Sequence, residues 1–519
     1  MLTKFRTGTN NFKNSIYQKM GRGNAHNSLF ILILIALFFF YNFQHFVMQA
    51  PFGLHFWRQT DSLSFVSHYV MNGYNFFKPG TLSLFSAEGN CAGEFPLFYY
   101  LAAVLTPVIS PEVLIRVISC VTVFAGLFFL YRMALKVFRD TVYAMTSVLI
   151  IFSSGTLLFF TCNYLPDTIA FGFTLIGLYH SYEYLKNQKK RNLGYLMFFF
   201  MSAGLVKITF LIFPLSYFIT LLVSVRTDKS LTGKGRYLSK QEIISIITIV
   251  LIPAGWYVFA GIYNKINHSE IFLTTARPLW AMSQGEIHKT IHLIFNYWYN
   301  AYYYPKTRYM IYAMLIVGIA GYRLWGTFYA RMAAFSVAGS VLYVLLFFRQ
   351  FENHNYYFIT IIPALYLVFM NSILVLNHYA PRVMRSVGTK IFFILLTVIS
   401  MNYGRKVVML YTKEDGISNI GVQLRGIDGK LDSAGIGKND KIIVWSDQTP
   451  NGSLYSLQRK GWTFTETSEI LLPGNKKHLQ EANHILITDT RAAGFNEIQP
   501  LLEHEEFRYN ESVIYKIRK

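Results

Sequence analysis

Long apolar stretches alternate with short polar loops along the first four-fifths of the chain. The run "SLFILILIALFFFYNFQHFVMQA" opens the series, and several later runs also reach the roughly 18 apolar residues a helix needs to cross a bilayer. The pattern predicts spans near 29–49, 113–132 and 141–160, then one returning to "KNQKKRN", and an out-and-back pair within 193–225. Further spans follow near 242–262, 309–325, 332–348, 356–377 and 391–410. The segment 97–110, "LFYYLAAVLTPVIS", is short and holds Pro107, so it is expected to dip in without crossing. About eleven transmembrane helices result.

The charges orient them. Lys4, Arg6, Lys13, Lys19 and Arg22 keep residues 1–28 in the cytoplasm as a tail, and the basic loops between spans stay on the same side. Residues 29–410 then form the membrane domain, with a long polar-aromatic external loop at 51–96 and the C-terminus outside. Within that loop "SFVSHYVMNGYNFF" is expected to be an amphipathic helix on the membrane surface. Composition agrees: 53% of the 519 residues are hydrophobic and only 14% charged, well below a soluble protein's usual quarter. The net charge of +21 is explained by the basic loops, so nucleic acid is not an expected partner.

Residues 411–519 change character. The runs "KIIVWSD", "HILITDT" and "SVIYKI" read as strands, and "GSLYSLQRK" and "KKHLQEAN" as helices between the first two. A small external α/β domain is expected, with Asp447 at a strand end as a turn or helix cap. Cys91, Cys120 and Cys162 have no metal-ligand spacing; Cys91 and Cys162 can both fall on the outer side, but a bridge between them is not expected.

This topology gathers ionisable residues at the outer face, where placing charge at a span edge is costly and by default marks function. Arg58, beside Trp57 in "HFWRQTDSLSF", reads either as an interfacial anchor or as a phosphate clamp. Asp61 reads either as the N-cap of the surface helix or as a general base. Glu94 in "GEFPLFYYL" and Asp167 in "LPDTIAF" each stand at the start of a helix, where a carboxylate is favoured by the helix dipole alone. Three carboxylates facing several cations make acid–base chemistry beside a bound phosphate the sharper reading.

In order along the chain, "HFWRQTDSLSFVSHYVMNGYNFF…GEFPLFYYLAA", "YLPDTIAFGF", "SAGLVKITF" and "ENHNYYFITIIP" resemble the GT-C glycosyltransferases. The likeness covers about residues 50–365. It is closest to the bacterial dolichyl-phosphate-mannose-protein mannosyltransferase-like and aminoarabinose transferase-like proteins. The resemblance implies a polytopic α-helical GT-C fold in a bacterial cytoplasmic (inner) membrane, a polyprenyl-phosphate-linked sugar donor, and an active site on the extracytoplasmic face. It implies Asp61 as the general base of an inverting displacement, and Glu94 as the acid that orients base or acceptor. Asp167, Lys207 and Tyr356 or Tyr357 would line the donor phosphate.

Two positions depart from the family pattern: Ser62 follows Asp61 where many relatives carry a glutamate, and Phe95 follows Glu94 where some carry a cation. Arg58, Arg277, Lys306 and Arg308 are then candidates for the phosphate, with His354 among the substrate-binding candidates. No cofactor is required by any motif. A divalent metal stays open, although His55, His68 and His354 offer no pair at ligand spacing. The acceptor class also stays open among lipid, protein and envelope glycan. The alternative readings are a lipid-linked glycan ligase or polymerase, and a transporter or flippase. A transporter would be expected to show repeats and ionisable groups near the midplane.

Overall fold

A computed structural model describes residues 25–227, 238–269, 271–272, 276–324, 327–489 and 495–518. The tail cations Lys4, Arg6, Lys13, Lys19 and Arg22 lie outside the described residues.

The membrane domain is a helical bundle, and helices occupy each position where a span was expected. The helices that bear on the site are α1 (Ala25–Phe40), α2 (Phe56–Met71), α3 (Leu97–Leu105), α4 (Pro111–Phe138), α5 (Thr141–Phe152) and α6 (Gly155–Thr161). They continue with α7 (Pro166–Asn187), α8 (Lys190–Val206), α9 (Ile212–Thr227), α10 (Lys240–Ile266), α11 (Phe328–Leu346) and α12 (Val387–Tyr411). Among the described residues, five helices are long and apolar enough to cross a membrane by themselves, or six if the bent pair α5–α6 is one span. The chain is therefore a multi-pass membrane protein, and this criterion stops short of the eleven spans expected from the pattern.

Local chemistry sets the breaks. Ser110 accepts from Val113 N at the start of α4, with Pro111 pre-shaped for the first turn, and Asp140 caps α5 through Val142 N and Tyr143 N. Between α5 and α6 the chain bends by 81°, and Ser154 caps the second piece. The nine-residue α3 spans only ~13 Å at 1.5 Å per residue, so the segment 97–110 contains no helix of crossing length. The out-and-back pair falls at α8 and α9, with Lys207 in an extended conformation at the break. Helices α4 and α7 cross closely: a Cβ on Gly172 would stand 2.4 Å from Thr122 O.

Helix α2 differs from the expectation. It starts at Phe56, its cap His55 in the left-handed region at φ 55°, so Asp61 lies in the second turn and is not an N-cap. Arg58 to Tyr69 are all buried. The helix does not lie on a membrane surface. It is held between the bundle and the C-terminal domain, because its small and hydroxylated residues (Thr60, Ser62, Ser64, Ser67) let structure approach on every side.

The C-terminal domain is a five-stranded sheet of β1 (Ile442–Trp445), β2 (Gly461–Phe464), β3 (His484–Ile487), β4 (Leu502–Tyr509) and β5 (Ser512–Ile517), in the order β2-β1-β3-β5-β4. β1 pairs parallel with β2 and β3, while β5 runs antiparallel to β3 and β4. Strands β2 and β4 were not anticipated. Alternate residues of β1 feed two cores: Ile442 and Val444 pack with Leu431, Leu454 and Leu486, and Ile443 and Trp445 with Trp462 and Ile485. Phe56 of α2 and Leu82 of the first loop enter the former core. Leu84 N donates to Gly461 O at 2.8 Å and Gly461 N to Leu82 O at 3.1 Å, so the loop extends the edge of the sheet. The domain is thereby fastened onto α2. All three cysteines are free and buried: Cys91 faces Thr81, and Cys162 faces Phe43 O, so no Cys91–Cys162 bridge forms.

Candidate active site

One face of α2 carries Arg58, Asp61, Ser64 and His68 at intervals of three or four residues, the spacing that stacks side chains along a helix. Arg58 pairs with Glu94, which lies in the turn before α3. Lys207, at the α8–α9 break, reaches Glu94 at 4.0 Å and Asp167, at the first turn of α7, at 3.4 Å. Four segments far apart in sequence thus converge on a buried array, Arg58–Glu94–Lys207–Asp167, with side chains no more than 12% exposed. Lys207 Nζ also lies 5.1 Å from the centre of the Tyr357 ring.

The array is not closed on itself. Arg58 Nη1 and Glu94 Oε2 are buried without hydrogen-bond partners among the described residues. In a protein interior such groups are rare, and a donor of this kind beside Lys207 suits a phosphate oxygen. Burial pushes the Glu94 carboxyl upward, but Arg58 and Lys207 outweigh it and hold the group below the usual carboxylate range. Glu94 is a fixed counter-charge that aims the two cations.

Asp61 is treated differently. Burial raises it to about 6, opposed by Arg58 and by a hydrogen bond from Asn451, and assisted by Glu94. That bond, Asn451 Nδ2 to Asp61 Oδ1 at 2.7 Å, comes from the C-terminal domain 390 residues later. The amide is oriented because its oxygen accepts from Ser64 Oγ at 2.9 Å and Ser83 N at 3.1 Å, which turns the NH2 toward Asp61. The loop bearing Asn451 is pinned in turn by Asp447, which accepts from Thr449 N and Oγ1 and from Ser453 N and Oγ. Asp447 is thus a local cap. Gly452 must stay small here, since a Cβ would meet Thr449 Oγ1 at 2.3 Å and Phe56 at 2.9 Å. Within the site, Ser62 faces Tyr99 Oη at 3.3 Å.

A wall of aromatic and histidine rings flanks the array. His354 packs tilted against Trp57 and stacks on Tyr357, at ring-centre distances of 5.3 and 5.5 Å, and its Nδ1 lies 3.2 Å from Tyr356 Oη. Burial lowers His354 to about 3, with His55, Arg58 and Lys207 adding to the effect, so it is a neutral hydrogen-bonding group and not a cation for phosphate. His55 is likewise lowered to about 4 by burial, and meets Asn355 Oδ1 at 3.0 Å. Beyond Tyr357, stacked on Tyr343, an apolar groove of about 490 Å³ runs between α9 and α11, lined by Ile208, Ile212, Ile219, Ala338, Leu342 and Phe347. Its first residue is the neighbour of Lys207.

The remaining predicted residues stand apart. Arg308 donates to Tyr299 O at 2.7 Å and Asn300 Oδ1 at 3.1 Å and lies over the Tyr299 ring. Arg277 and Lys306 are exposed, and no bond among the described residues joins either to the array. His68 is buried against Thr81 O. No group of three or more His, Cys, Asp or Glu side chains suited to a metal ion occurs among the described residues. Asn451, Ser64 and Tyr99 went unrecognised in the sequence. Asn451 stands in "TPNGSLYSL", a segment that reads only as a turn and helix start, and nothing local ties it to Asp61.

Comparison with known proteins bears on this geometry. The family model described as dolichyl-phosphate-mannose-protein mannosyltransferase matches residues 94–256, the stretch that contains Glu94, Asp167 and Lys207. Among curated proteins none matches the chain significantly. Among solved structures, ArnT from Cupriavidus metallidurans in the apo state superposes with a TM-score of 0.60 at 10% identity, over 94% of this chain and 98% of that one. The same protein bound to undecaprenyl phosphate gives 0.58 at 11%, over 94% and 97%. The arabinofuranosyltransferase AftD from Mycobacteria gives 0.55 at 10%, over 95% of this chain and 40% of that longer one. Fold and family match together define the class: a multi-pass membrane protein with the fold of the GT-C glycosyltransferases.

Proposed function

We propose that the chain transfers a sugar from a polyprenyl-phosphate-linked donor to a hydroxyl acceptor, at the end of the bundle covered by the C-terminal domain and outside the cytoplasm. The observation that carries this reading is the continuity between the apolar groove and the charged array: a lipid tail in the groove delivers its phosphate to Lys207 and Arg58. The ArnT neighbour bound to undecaprenyl phosphate supports the same class of donor.

In this mechanism Asp61 takes the proton of the acceptor hydroxyl as its oxygen attacks the anomeric carbon. The bond from that carbon to the phosphate oxygen breaks, and the polyprenyl phosphate leaves with the electron pair. Its growing charge falls to Arg58 Nη1 and Lys207, which Glu94 and Asp167 hold in place. A single displacement inverts the anomeric centre. Burial keeps Asp61 poised near neutrality, where it is ionised yet basic enough to accept a proton.

The test is to incubate the purified protein in detergent with a panel of polyprenyl-phosphate sugars and membrane extract. The expected result is free polyprenyl phosphate released in step with a glycosylated product of inverted configuration. A flippase would release none, and retention of configuration would contradict the single displacement.

A further inference from the structure

The rings beside the charged array form one continuous row. Trp57 meets His354 at 5.3 Å between ring centres, His354 stacks on Tyr357 at 5.5 Å, and Lys207 Nζ stands 5.1 Å from the Tyr357 ring centre. The row therefore abuts Lys207 at one end. At the other end His55 packs edge-on to Trp57, and Trp298 lies tilted against His55 at 6.0 Å. Trp298 is set there by a π-helical turn, Ile294–Trp298, and by its bond from Nε1 to Glu352 O at 3.0 Å.

These rings differ from ordinary core packing in what they leave unused. Trp57, His354 and Tyr357 are each partly exposed. Trp57 Nε1, His354 Nε2 and Tyr357 Oη have no hydrogen-bond partner among the described residues, and none of the three is closed off from solvent. Tyr356 Oη engages only the other imidazole nitrogen, Nδ1. Three neighbouring rings thus present three free hydrogen-bonding atoms on apolar ring surface. That combination fits the hydroxyls and C–H groups of a sugar.

The charges narrow the kind of sugar. All three free atoms are uncharged, since burial, with His55, Arg58 and Lys207 adding, keeps the His354 imidazole neutral. Glu352, two residues before His354, is paired with Lys289 at 2.6 Å. Glu94 and Asp167 are engaged by Arg58 and Lys207. A sugar ammonium therefore finds no free carboxylate on the row, and a sugar carboxylate would compete with the donor phosphate for Arg58 and Lys207.

We infer that Trp57, His354 and Tyr357 form the subsite for the donor's sugar, and that this subsite takes an uncharged sugar, a hexose or pentose without amino or carboxyl substituents. A sugar linked to a phosphate on Lys207 meets Tyr357 and His354 first, because the row begins at that lysine. The assignment to the donor rests on the transferase reading.

Isothermal titration calorimetry on the purified full-length protein in detergent reads the subsite without acceptor. The probes are undecaprenyl phosphate alone and the same lipid phosphate linked to mannose, glucose, arabinose, 4-amino-4-deoxyarabinose or galacturonic acid. At least one of the three neutral donors is expected to bind about tenfold or more tighter than undecaprenyl phosphate alone, the gain of two or three neutral hydrogen bonds. Neither charged donor is expected to exceed the bare lipid phosphate by more than about twofold. His354→Phe combined with Tyr357→Phe keeps both rings and removes two of the free atoms. This double variant is expected to cut the sugar's gain to less than about twofold while affinity for undecaprenyl phosphate stays within about twofold, which also reports a folded site. Trp57→Phe, which removes the indole N–H, is expected to cut the gain about threefold, and Tyr297→Phe, an exposed tyrosine off the row, to leave it unchanged. A gain that survives both wall variants, a charged donor bound tighter than every neutral one, or no gain for any neutral donor each overturns the inference. Polyprenyl phosphate released in a protein that shows no gain for any sugar overturns this inference alone; a gain lost in the double variant of a protein that releases no polyprenyl phosphate overturns the transferase reading alone.

Discussion

At the residue scale, two carboxylates in one site are set to different tasks by their surroundings. Glu94 is held ionised between Arg58 and Lys207, whereas Asp61, buried with a single amide donor, titrates near 6. A base must be ionised to work, so kcat/KM is expected to fall about tenfold per pH unit below about pH 6 and to level off above it, read from a pH–rate profile. Asn451→Ala removes a bond to the charged form, so the acid limb is expected to move to higher pH; an unmoved limb would separate Asn451 from the base. Asp61, Glu94, Asp167 and Lys207 were legible because ionisable groups at span edges are costly and therefore conspicuous. Arg58 was legible as a candidate but not as a partner of Glu94, and that His354 is held neutral was not legible because burial cannot be read from one sequence. Asn451 was invisible, since its role exists only once the two ends of the chain meet.

At the element scale, hydrophobic periodicity located the helices well and their breaks less well. The start of α2 was missed because the left-handed cap at His55 leaves no mark in the pattern, whereas Ser110, Asp140 and Ser154 stand where capping residues are expected. Strands β2 and β4 were missed: "GWTF" is too short to show alternation, and "LEHEEFRY" is largely polar because it forms the sheet edge. The close crossing of α4 and α7 predicts that Gly172→Val destabilises the protein by about 1–3 kcal/mol, seen as a lower melting temperature in detergent. The groove between α9 and α11 predicts chain-length selectivity. Ala338→Phe is expected to raise KM about tenfold for long polyprenyl donors, the equivalent of about two methylenes at ~0.8 kcal/mol each, and to leave short-chain donors within about twofold. Equal effects on both would place the lipid elsewhere.

At the scale of the whole molecule, the C-terminal domain is part of the site and not an appendage. It receives Phe56 and Leu82 into its core, pairs its edge strand with the first loop and supplies the amide that holds Asp61. A chain ended after Tyr411 is expected to reach the membrane but to lose sugar transfer by about a hundredfold or more, measured on membrane fractions with matched protein levels. The central claim is that Asp61 is the base. Its most direct measurement is the transfer rate of Asp61→Asn, purified in parallel with wild type and matched in elution volume and melting temperature. The account predicts a loss of about 10²–10⁴-fold with donor affinity kept; transfer at the wild-type rate would contradict it.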